Sequence, residues 1–155
     1  MVQKLVLHLQ PRMDDLIEYN FIDTEILDFN PEFFGLWISD VITDNGFTLQ
    51  ELSYVFCTDD YLLDMNKQYL QHDYFTDVIT FNYNEDISLS GDVFISYDRV
   101  KDNAKLLGVS KFDELCRVMV HGVLHLCGFN DKSKEEELEM REMEDKYLNK
   151  RNSFT

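Results

Sequence analysis

The segment from residue 111 to residue 127 constrains the fold of this chain more than any other. Its apolar residues recur around almost the whole helical circumference: Leu115, Val118, Met119, Val120, Val123, Leu124 and Leu126. A helix that is apolar on all sides has to be buried on all sides. Ser110 is the predicted N-cap, and Gly128 is predicted to end the helix in a left-handed conformation. The rest of the chain is therefore expected to pack around this helix.

Strand-like and helix-like patterns alternate through the remaining sequence. Runs rich in β-branched and aromatic residues predict strands at residues 2–9, 47–57, 77–83 and 92–97, with residues 84–91 connecting the last two. Capping signals predict helices behind Asn30-Pro31, behind Thr58 or Asp59, over residues 99–107, and behind a Ser133/Glu136 capping box. The last helix is expected to bury Met140, Met143 and Tyr147.

These elements predict an α/β (α+β) fold class. We expect residues 1–155 to form a single domain. In it, a small mixed β-sheet of about four strands packs with about five helices around the buried central helix.

The charge of the chain excludes several partners. The chain contains 14 Lys and Arg and 30 Asp and Glu, so its net charge is −16. Nucleic-acid-binding proteins are usually basic, and an anionic membrane surface also attracts cations, so the charge taken alone argues against both, and neither DNA nor a membrane is expected as a partner. No apolar run approaches the roughly 18–20 residues that span a bilayer. The excess is strongest in residues 1–66, with two bases against thirteen acids. This acidic half is either a solvated face or a protein-binding surface.

The cysteines and the first residues indicate a cytoplasmic protein. Cys57, Cys116 and Cys127 are odd in number and lie in apolar runs, so we interpret them as buried free thiols in a reducing compartment. Polar residues interrupt the apolar N-terminal ten residues, which carry no small-residue cleavage site. We therefore predict a strand there and not a signal peptide.

Two histidines in the central helix predict a metal site. His121 and His125 are four residues apart, so they lie one turn apart on one face. Gly128 then ends the helix, and the chain can fold back to bring Asp131 to the same face. Two imidazoles and a carboxylate with one open position are typical of a catalytic zinc site that holds one Zn²⁺. By contrast, His8 and His72 are lone histidines, which we interpret as core residues.

The residue that follows the first histidine limits which reactions such a metal site can catalyse. Zinc peptidases with the H-E-x-x-H pattern use the Glu after the first histidine as general base. Gly122 stands at that position here, which weakens a metallopeptidase interpretation. The remaining option is attack on another ester, such as a phosphodiester.

Three blocks of the sequence resemble one known family. Residues 121–131 (HGVLHLCGFND) resemble the signature H-G-x-L-H-L-x-G-[YF]-D-H of the YbeY-type endoribonucleases, the bacterial rRNA maturation factors. Residues 66–81 (NKQYLQHDYFTDVITF) are similar to the family's N-x-x-[YF]-R-x-x-D-x-P-T-D-V-L-S-F, and residues 91–104 (GDVFISYDRVKDNA) to its G-D-[IV]-x-I-[SC] strand and the helix after it. Together the blocks cover most of residues 52–148, whereas residues 1–50 match none of them.

The resemblance implies a YbeY-like metal-dependent hydrolase domain. Such a domain would be a zinc-dependent, cytoplasmic endoribonuclease that processes the 3′ end of 16S rRNA and contributes to ribosome quality control. The family's zinc ligands fall on His121, His125 and the last position of the signature, where Asp131 replaces a histidine. Because Asn130 also replaces the family's Asp, the resemblance leaves open which of these two residues faces the metal.

The resemblance and the local pattern together nominate further catalytic residues. The family's phosphate-contacting Arg falls on Leu70, which cannot bind an anion. Arg117, one turn before His121, is the replacement cation we predict; an ion pair with Asp113 is an equally good explanation for it.

Asp77 matches the family's T-D pair together with Thr76, and is the second catalytic candidate. A role for this pair in a turn or cap explains both residues equally well. Lys132 is a weaker candidate for phosphate. Five basic residues lie in the segment that leads into the histidines: Arg99, Lys101, Lys105, Lys111 and Arg117.

The sequence therefore predicts a zinc-dependent endoribonuclease of rRNA maturation. Its substrate would be rRNA in ribosomal particles, and the acidic N-terminal half would bind a ribosomal or assembly protein. The alternatives are a non-hydrolytic ribosome-assembly factor with a structural zinc and, less favoured, a metallopeptidase.

Overall fold

The computed structural model describes residues 13–72 and 75–155, which form one α/β domain. The strands are β1 (Ile17–Phe21), β2 (Thr48–Cys57), β3 (Val78–Asn82) and β4 (Ser88–Ser96). The helices are α1 (Pro31–Asp44), α2 (Asp59–Leu70), α3 (Tyr97–Leu107), α4 (Lys111–Leu126) and α5 (Lys134–Lys150), with short 3₁₀ turns at Met13–Leu16 and Arg151–Phe154. The predicted fold class is confirmed. The strand predicted at residues 2–9 lies outside the described residues.

The four strands form one mixed sheet in the order β1-β2-β4-β3. β1 and β4 both run parallel to β2, and β3 runs antiparallel to β4 along the opposite edge. Cys57 is in register with Ser96, so β2 and β4 end together. Val78, the first residue of β3, is paired with Ile95 near that same end. Asp77 and Thr76 therefore lie just outside the end of the sheet.

The central helix α4 packs on this sheet as the sequence predicts. Ten of its residues are buried, including the whole apolar set from Leu115 to Leu126. The buried Tyr54 of β2 donates a hydrogen bond to the Met119 carbonyl over 2.8 Å. The closest approach is at Gly122, where an added Cβ would lie 2.5 Å from Cγ1 of Val93 on β4. The helix can reach the sheet there only because residue 122 has no side chain.

The caps that the sequence predicts are present. Ser110 Oγ accepts a hydrogen bond from the Asp113 amide, and Thr58 caps α2 in the same way through the Tyr61 amide. Ser133 and Glu136 form the reciprocal capping box of α5. Gly128 has φ 98°, the left-handed conformation expected after α4.

Two strand predictions need correction. β4 begins at Ser88, so the predicted connection at residues 84–91 is too long. Residues 88–91 continue the strand because they pair with β2 from Thr48 to Leu52, and Leu89 is fully buried. The edge strand β1 is missing from the prediction, although Ile17, Tyr19 and Phe21 alternate with polar residues in it; the pattern covers only five residues, and only Ile17 is buried.

A hydrogen-bonded contact fixes α5 against α1. Tyr147 is buried; its hydroxyl donates to Asp44 and accepts from the Asn45 side chain, and its carbonyl accepts from the Trp37 indole. These bonds fix the end of α5 to α1. One turn before Tyr147, Glu144 of the same helix lies 2.7 Å from His121 of α4, so α5 packs against both helices.

Two of the three cysteines are buried, as the sequence predicts. Cys57 and Cys116 are buried free thiols, and Cys127 is a half-buried one. Burial raises the pKa of each of the three thiols to about 12. Within residues 13–72 and 75–155, no helix combines the length and the apolar character needed to cross a bilayer.

The contact at Gly122 yields a prediction for stability. Gly122→Ala should lower the free energy of unfolding by about 1–2 kcal/mol, because overpacking against Val93 outweighs the better helix propensity of alanine. The measurement is urea unfolding followed by circular dichroism. In the double variant Gly122→Ala/Val93→Ala, the loss should be smaller than the sum of the two single losses. Strictly additive losses would contradict this contact.

Candidate metal centre

Three side chains converge at the end of α4. His121 Nε2 lies 3.0 Å from His125 Nε2, and Asp131 Oδ2 lies 3.3 Å from the first and 3.5 Å from the second. The imidazoles come from successive turns of α4, and the left-handed Gly128 turns the chain so that Asp131 returns to them. Among the described residues, this is the one group of three potential metal ligands with donor atoms within 4.8 Å of one another.

The spacing of these donors fits a tetrahedral metal ion. Zinc bonds of 2.0–2.1 Å at tetrahedral angles place ligand atoms roughly 3.3 Å apart. The three measured separations are 3.0, 3.3 and 3.5 Å, so one ion can contact all three atoms. The donor set of two nitrogens and one oxygen also matches the ligand types of catalytic zinc sites. The residues present therefore fit a metal ion.

The open choice between Asn130 and Asp131 has a geometric answer. Asp131 Oδ2 points at both imidazoles. The Asn130 side chain instead makes a hydrogen bond to Glu136 in the first turn of α5. The carboxylate that faces the histidine pair is that of Asp131.

The buried carboxylate of Glu144 contacts His121 at the ring nitrogen that points away from the other candidate ligands. Glu144 of α5 is 3% exposed, and its Oε2 lies 2.7 Å from Nδ1 of His121. A carboxylate can only accept this bond, so Nδ1 carries the proton and Nε2 keeps its lone pair for a metal. Metal-bound histidines usually have such a partner. The His125 ring has its own partner in the backbone of Phe129.

Arg117 completes this cluster. Its Nε and Nη2 donate to the two carboxylate oxygens of Glu114 over 2.9 and 2.6 Å, and its Nη1 lies 3.3 Å from Glu144 Oε1. Glu114 is 1% exposed, so the arginine neutralises two buried acids. Arg117 lines the smaller lobe of the groove beside His121, while its role as a replacement cation stays a prediction; the sequence also allows an ion pair with Asp113. Asp113 instead pairs with Arg151.

Burial and the neighbouring charges shift the pKa values of His121 and His125 in opposite directions. Burial opposes protonation of His121, but the hydrogen bond and charge of Glu144, with Asp131 and Asp77, outweigh it and raise the pKa of His121. Burial and the neighbouring His121 lower the pKa of His125. His125 is therefore neutral at pH 7, whereas a metal must displace a proton from His121 at low pH.

The three donors lie on a groove with two lobes, which share His121, Asp131 and Asp77. The larger lobe is a cavity of about 370 Å³ between α4 and the end of the sheet. Its other walls are Asn66, Leu70, His72, Thr76, Val78, Ile79, Thr80 and His125. The smaller lobe, of about 250 Å³, lies against α5 and is completed by Arg117, Val118, Glu137, Met140, Arg141 and Glu144.

The remaining predicted residues fall into three places. Asp77 and Thr76 line the larger lobe, and Asp77 also borders the smaller one. Leu70, where the family block has Arg, is 40% exposed at the same lobe. His72 is exposed and also lines the groove, so its interpretation as a core residue is wrong. His8 lies outside the described residues.

The basic segment before the histidines does not line this groove as a group. Arg99 pairs with Asp59 over 2.7 Å. Lys101 and Lys111 line a separate cavity of about 500 Å³ beside Phe112. Arg117 is the member of the five-residue set that borders the groove.

Sequence reasoning did not find Glu144 or Glu114. A signal for Glu144 existed, because it lies between Met140 and Tyr147 on the stripe of α5 that was predicted to be buried. A lone acid on a buried stripe indicates a partner on a neighbouring element. The sequence does not say which element that is.

Comparison with known proteins gives consistent matches. A family model described as Endoribonuclease YbeY matches residues 23–152, which extends the resemblance well upstream of residue 52. The chain is 51% identical to a Bacteroides thetaiotaomicron protein named Endoribonuclease YbeY over 112 residues, 72% of this chain and 82% of that protein. A Flavobacterium psychrophilum protein of the same name is 46% identical over 134 residues, 86% of this chain and 94% of that one.

The fold also matches a solved structure. The solution structure of TM1509 from Thermotoga maritima superposes with a TM-score of 0.59 at 23% sequence identity, over 86% of this chain and 88% of that one. At this identity the likeness concerns the fold.

The contact between Glu144 and His121 can be tested by metal affinity. Glu144→Gln should weaken zinc binding about 10–100-fold, because a neutral amide no longer fixes the proton on Nδ1 or increases the basicity of the ring. Competition with a chromophoric chelator measures the affinity. The control is Glu142→Gln, an exposed acid on the same helix. Equal zinc affinity of a folded Glu144→Gln variant and the wild type would rule out this role.

Proposed function

The chain belongs to the YbeY endoribonuclease family, and from this we propose that it is a zinc-dependent endoribonuclease. We propose that it acts in rRNA maturation in the cytoplasm, including processing of the 3′ end of 16S rRNA, and in ribosome quality control. Residues 1–155 would form one metal-dependent hydrolase domain.

One observation carries the proposal. His121, His125 and Asp131 present three donor atoms at tetrahedral spacing on the wall of an open groove. Three protein ligands beside solvent are typical of a catalytic site, whereas structural zinc sites are closed by four protein ligands. A zinc ion held there would supply Lewis-acid chemistry to a phosphodiester and make water more acidic.

The side chains around the groove have distinct roles in this proposal. His121, His125 and Asp131 hold the ion, and Glu144 fixes the proton of His121 on Nδ1. Asp77 borders both lobes beside His121, which suits a carboxylate that orients the attacking water and accepts its proton. Arg117 is engaged with Glu114 and Glu144, so its contribution is to hold Glu144 in place.

The metallopeptidase alternative is disfavoured by the position of Gly122. The residue after the first histidine faces Val93 of the sheet and has no room for a side chain. A general base at this position would point into the core and away from the groove. The assembly-factor alternative rests on Leu70, which leaves one wall of the larger lobe without the family's arginine.

The proposed metal site and activity are tested together by histidine substitution. His125→Ala should lose bound zinc and reduce cleavage of an rRNA precursor at least about 100-fold, because the ion supplies several kcal/mol of stabilisation to the transition state. Metal analysis and a gel assay measure the two quantities. His72→Ala, in the same groove but outside the ligand group, should keep both zinc and activity.

The other possible outcomes of this experiment each point to a different explanation. Zinc content that is unchanged in His125→Ala would reject the metal site. Equal cleavage by wild type and His125→Ala would reveal a contaminating nuclease. Zinc that is lost without any cleavage by the wild type would favour the non-hydrolytic assembly factor. Digestion of casein by the zinc-loaded wild type would favour the metallopeptidase.

We also propose that a ribosomal or assembly protein docks on the acidic half. Exposed acids cluster on β1 and on the loop that leads into α1: Glu18, Asp23, Glu25, Asp28 and Glu32. With a net charge of −16, the chain is repelled by free RNA. A basic protein bound to this edge would bring the enzyme to its substrate.

This docking proposal predicts a contrast between naked and packaged rRNA. The chain should bind ribosomal particles measurably in a sedimentation assay and bind naked rRNA weakly. Asp28→Lys should reduce binding to particles, whereas Glu139→Lys, an exposed site on α5, should not. Tight binding to naked rRNA would contradict the proposal.

A further inference from the structure

The two lobes of the groove differ in their basic side chains. In the described residues, the larger lobe is lined by no Lys or Arg, and its wall at position 70 is a leucine. The smaller lobe has two arginines, Arg117 and Arg141. An RNA strand that crosses the site carries one negative charge per nucleotide, so the smaller lobe is the side on which the protein can bind a phosphate.

Arg117 is not free to bind this phosphate. Its Nε, Nη1 and Nη2 all lie within hydrogen-bond distance of Glu114 or Glu144, and its side chain is only 21% exposed. Turning it toward a substrate would leave two carboxylates buried without their counter-ion. Breaking a buried pair in this way costs several kcal/mol, more than one phosphate contact returns.

Arg141 has the opposite character. Its side chain is 59% exposed, and the ion pair recorded for it among the described residues is a single contact of 3.7 Å between Nη1 and Glu144 Oε1. That distance is too long for a direct hydrogen bond. Glu144 is already bonded to His121 and paired with Arg117, so Arg141 is held near the metal centre with its donors unused.

The position of Arg141 indicates which phosphate it can reach. Glu144 contacts Nδ1 of His121, on the far side of the imidazole from the metal-facing Nε2. Arg141 therefore lies behind the ligand ring and not beside the donor atoms. Because Arg141 lines the same lobe as His121 and Asp131, a phosphate that it binds would belong to the same strand as a phosphate at the donors.

We propose that Arg141 forms a binding subsite for the phosphodiester that flanks the cleaved one, on the α5 side of the groove. The proposal rests on the proposed function, since it takes single-stranded RNA as the ligand. A guanidinium suits this contact because its planar fork can donate two hydrogen bonds to one phosphate. Glu137, which lines the same lobe, opposes the anion and weakens the subsite.

The first test is binding, which needs no cleavage. A fluorescent 12-nucleotide single-stranded RNA is titrated with metal-free protein between about 0.05 and 0.3 M salt, and anisotropy is followed. Arg141→Gln should weaken binding about tenfold and change the slope of log K against log salt by about 0.7, the value for one phosphate contact to a single strand. Glu137→Gln should tighten binding.

The matched control is Lys146→Gln, on the same helix. Lys146 pairs with Asp44 of α1, so this variant removes the same charge at a site away from the groove. Its affinity and salt slope should remain within about twofold and 0.2 of the wild type. Equal losses in Arg141→Gln and Lys146→Gln would overturn the subsite, because they would show an effect of net charge alone.

The second test is cleavage of the same RNA by zinc-loaded protein. Arg141→Gln should lower kcat/KM about tenfold, mainly through KM, with zinc content unchanged. If the wild type cleaves and Arg141→Gln matches it in KM and in binding, the subsite is wrong and the proposed function stands. If the wild type does not cleave but Arg141→Gln still loses binding and salt slope, the proposed function fails, and Arg141 is a phosphate contact for RNA that is bound without being cleaved.

Discussion

The close packing of α4 on β4 at Gly122 determines the orientation of the whole site. A helix that carries two ligands has to be fixed in rotation about its own axis, since successive residues point 100° apart. With position 122 turned toward Val93, His121 and His125 are turned to the edge of the sheet where Asp77 ends the preceding loop. Glu114, Arg117, His121 and His125 follow one another at spacings of three and four residues and form a polar stripe along the otherwise apolar helix. The missing side chain at position 122 and this stripe together select the rotation, since any other would turn the stripe toward the sheet.

The buried charges between α4 and α5 perform the second part of that positioning. Glu114, Arg117 and Glu144 form a chain of ion pairs that ends on Nδ1 of His121. Buried ion pairs add little net stability, because desolvation offsets their attraction. These pairs act by orienting the imidazole, because Glu144 fixes the tautomer and the plane of the His121 ring. Burial raises the pKa of Glu144, but the hydrogen bond and charge of His121, with the charge of Arg117, outweigh it and lower that pKa. The metal ligands therefore depend on α5, although α5 supplies none of them.

The convergence of His121, His125 and Asp131, the candidate metal ligands, could be predicted from the sequence because its geometry is local. Helical spacing places His121 over His125, and a glycine stop returns Asp131 within six residues. The caps at Ser110 and Ser133 are equally local. Glu144 could not be assigned because its partner is 23 residues away on another helix, and only packing brings them together. β1 differs, since Ile17, Tyr19 and Phe21 alternate with polar residues as in a half-buried strand, but the signal spans only five residues and its pairing with β2 is non-local.

Net charge and local charge lead to different conclusions about RNA. A charge of −16 describes how the chain is repelled from a polyanion at a distance, and it excluded nucleic acid when taken alone. At contact, only charges within about a Debye length of the phosphate matter, and the groove has its own balance. There, the proposed metal ion at His121, His125 and Asp131 and the weakly paired Arg141 would face the acids Asp77 and Glu137. An acidic protein can therefore act on RNA when a partner overcomes the long-range repulsion and the groove supplies the short-range attraction.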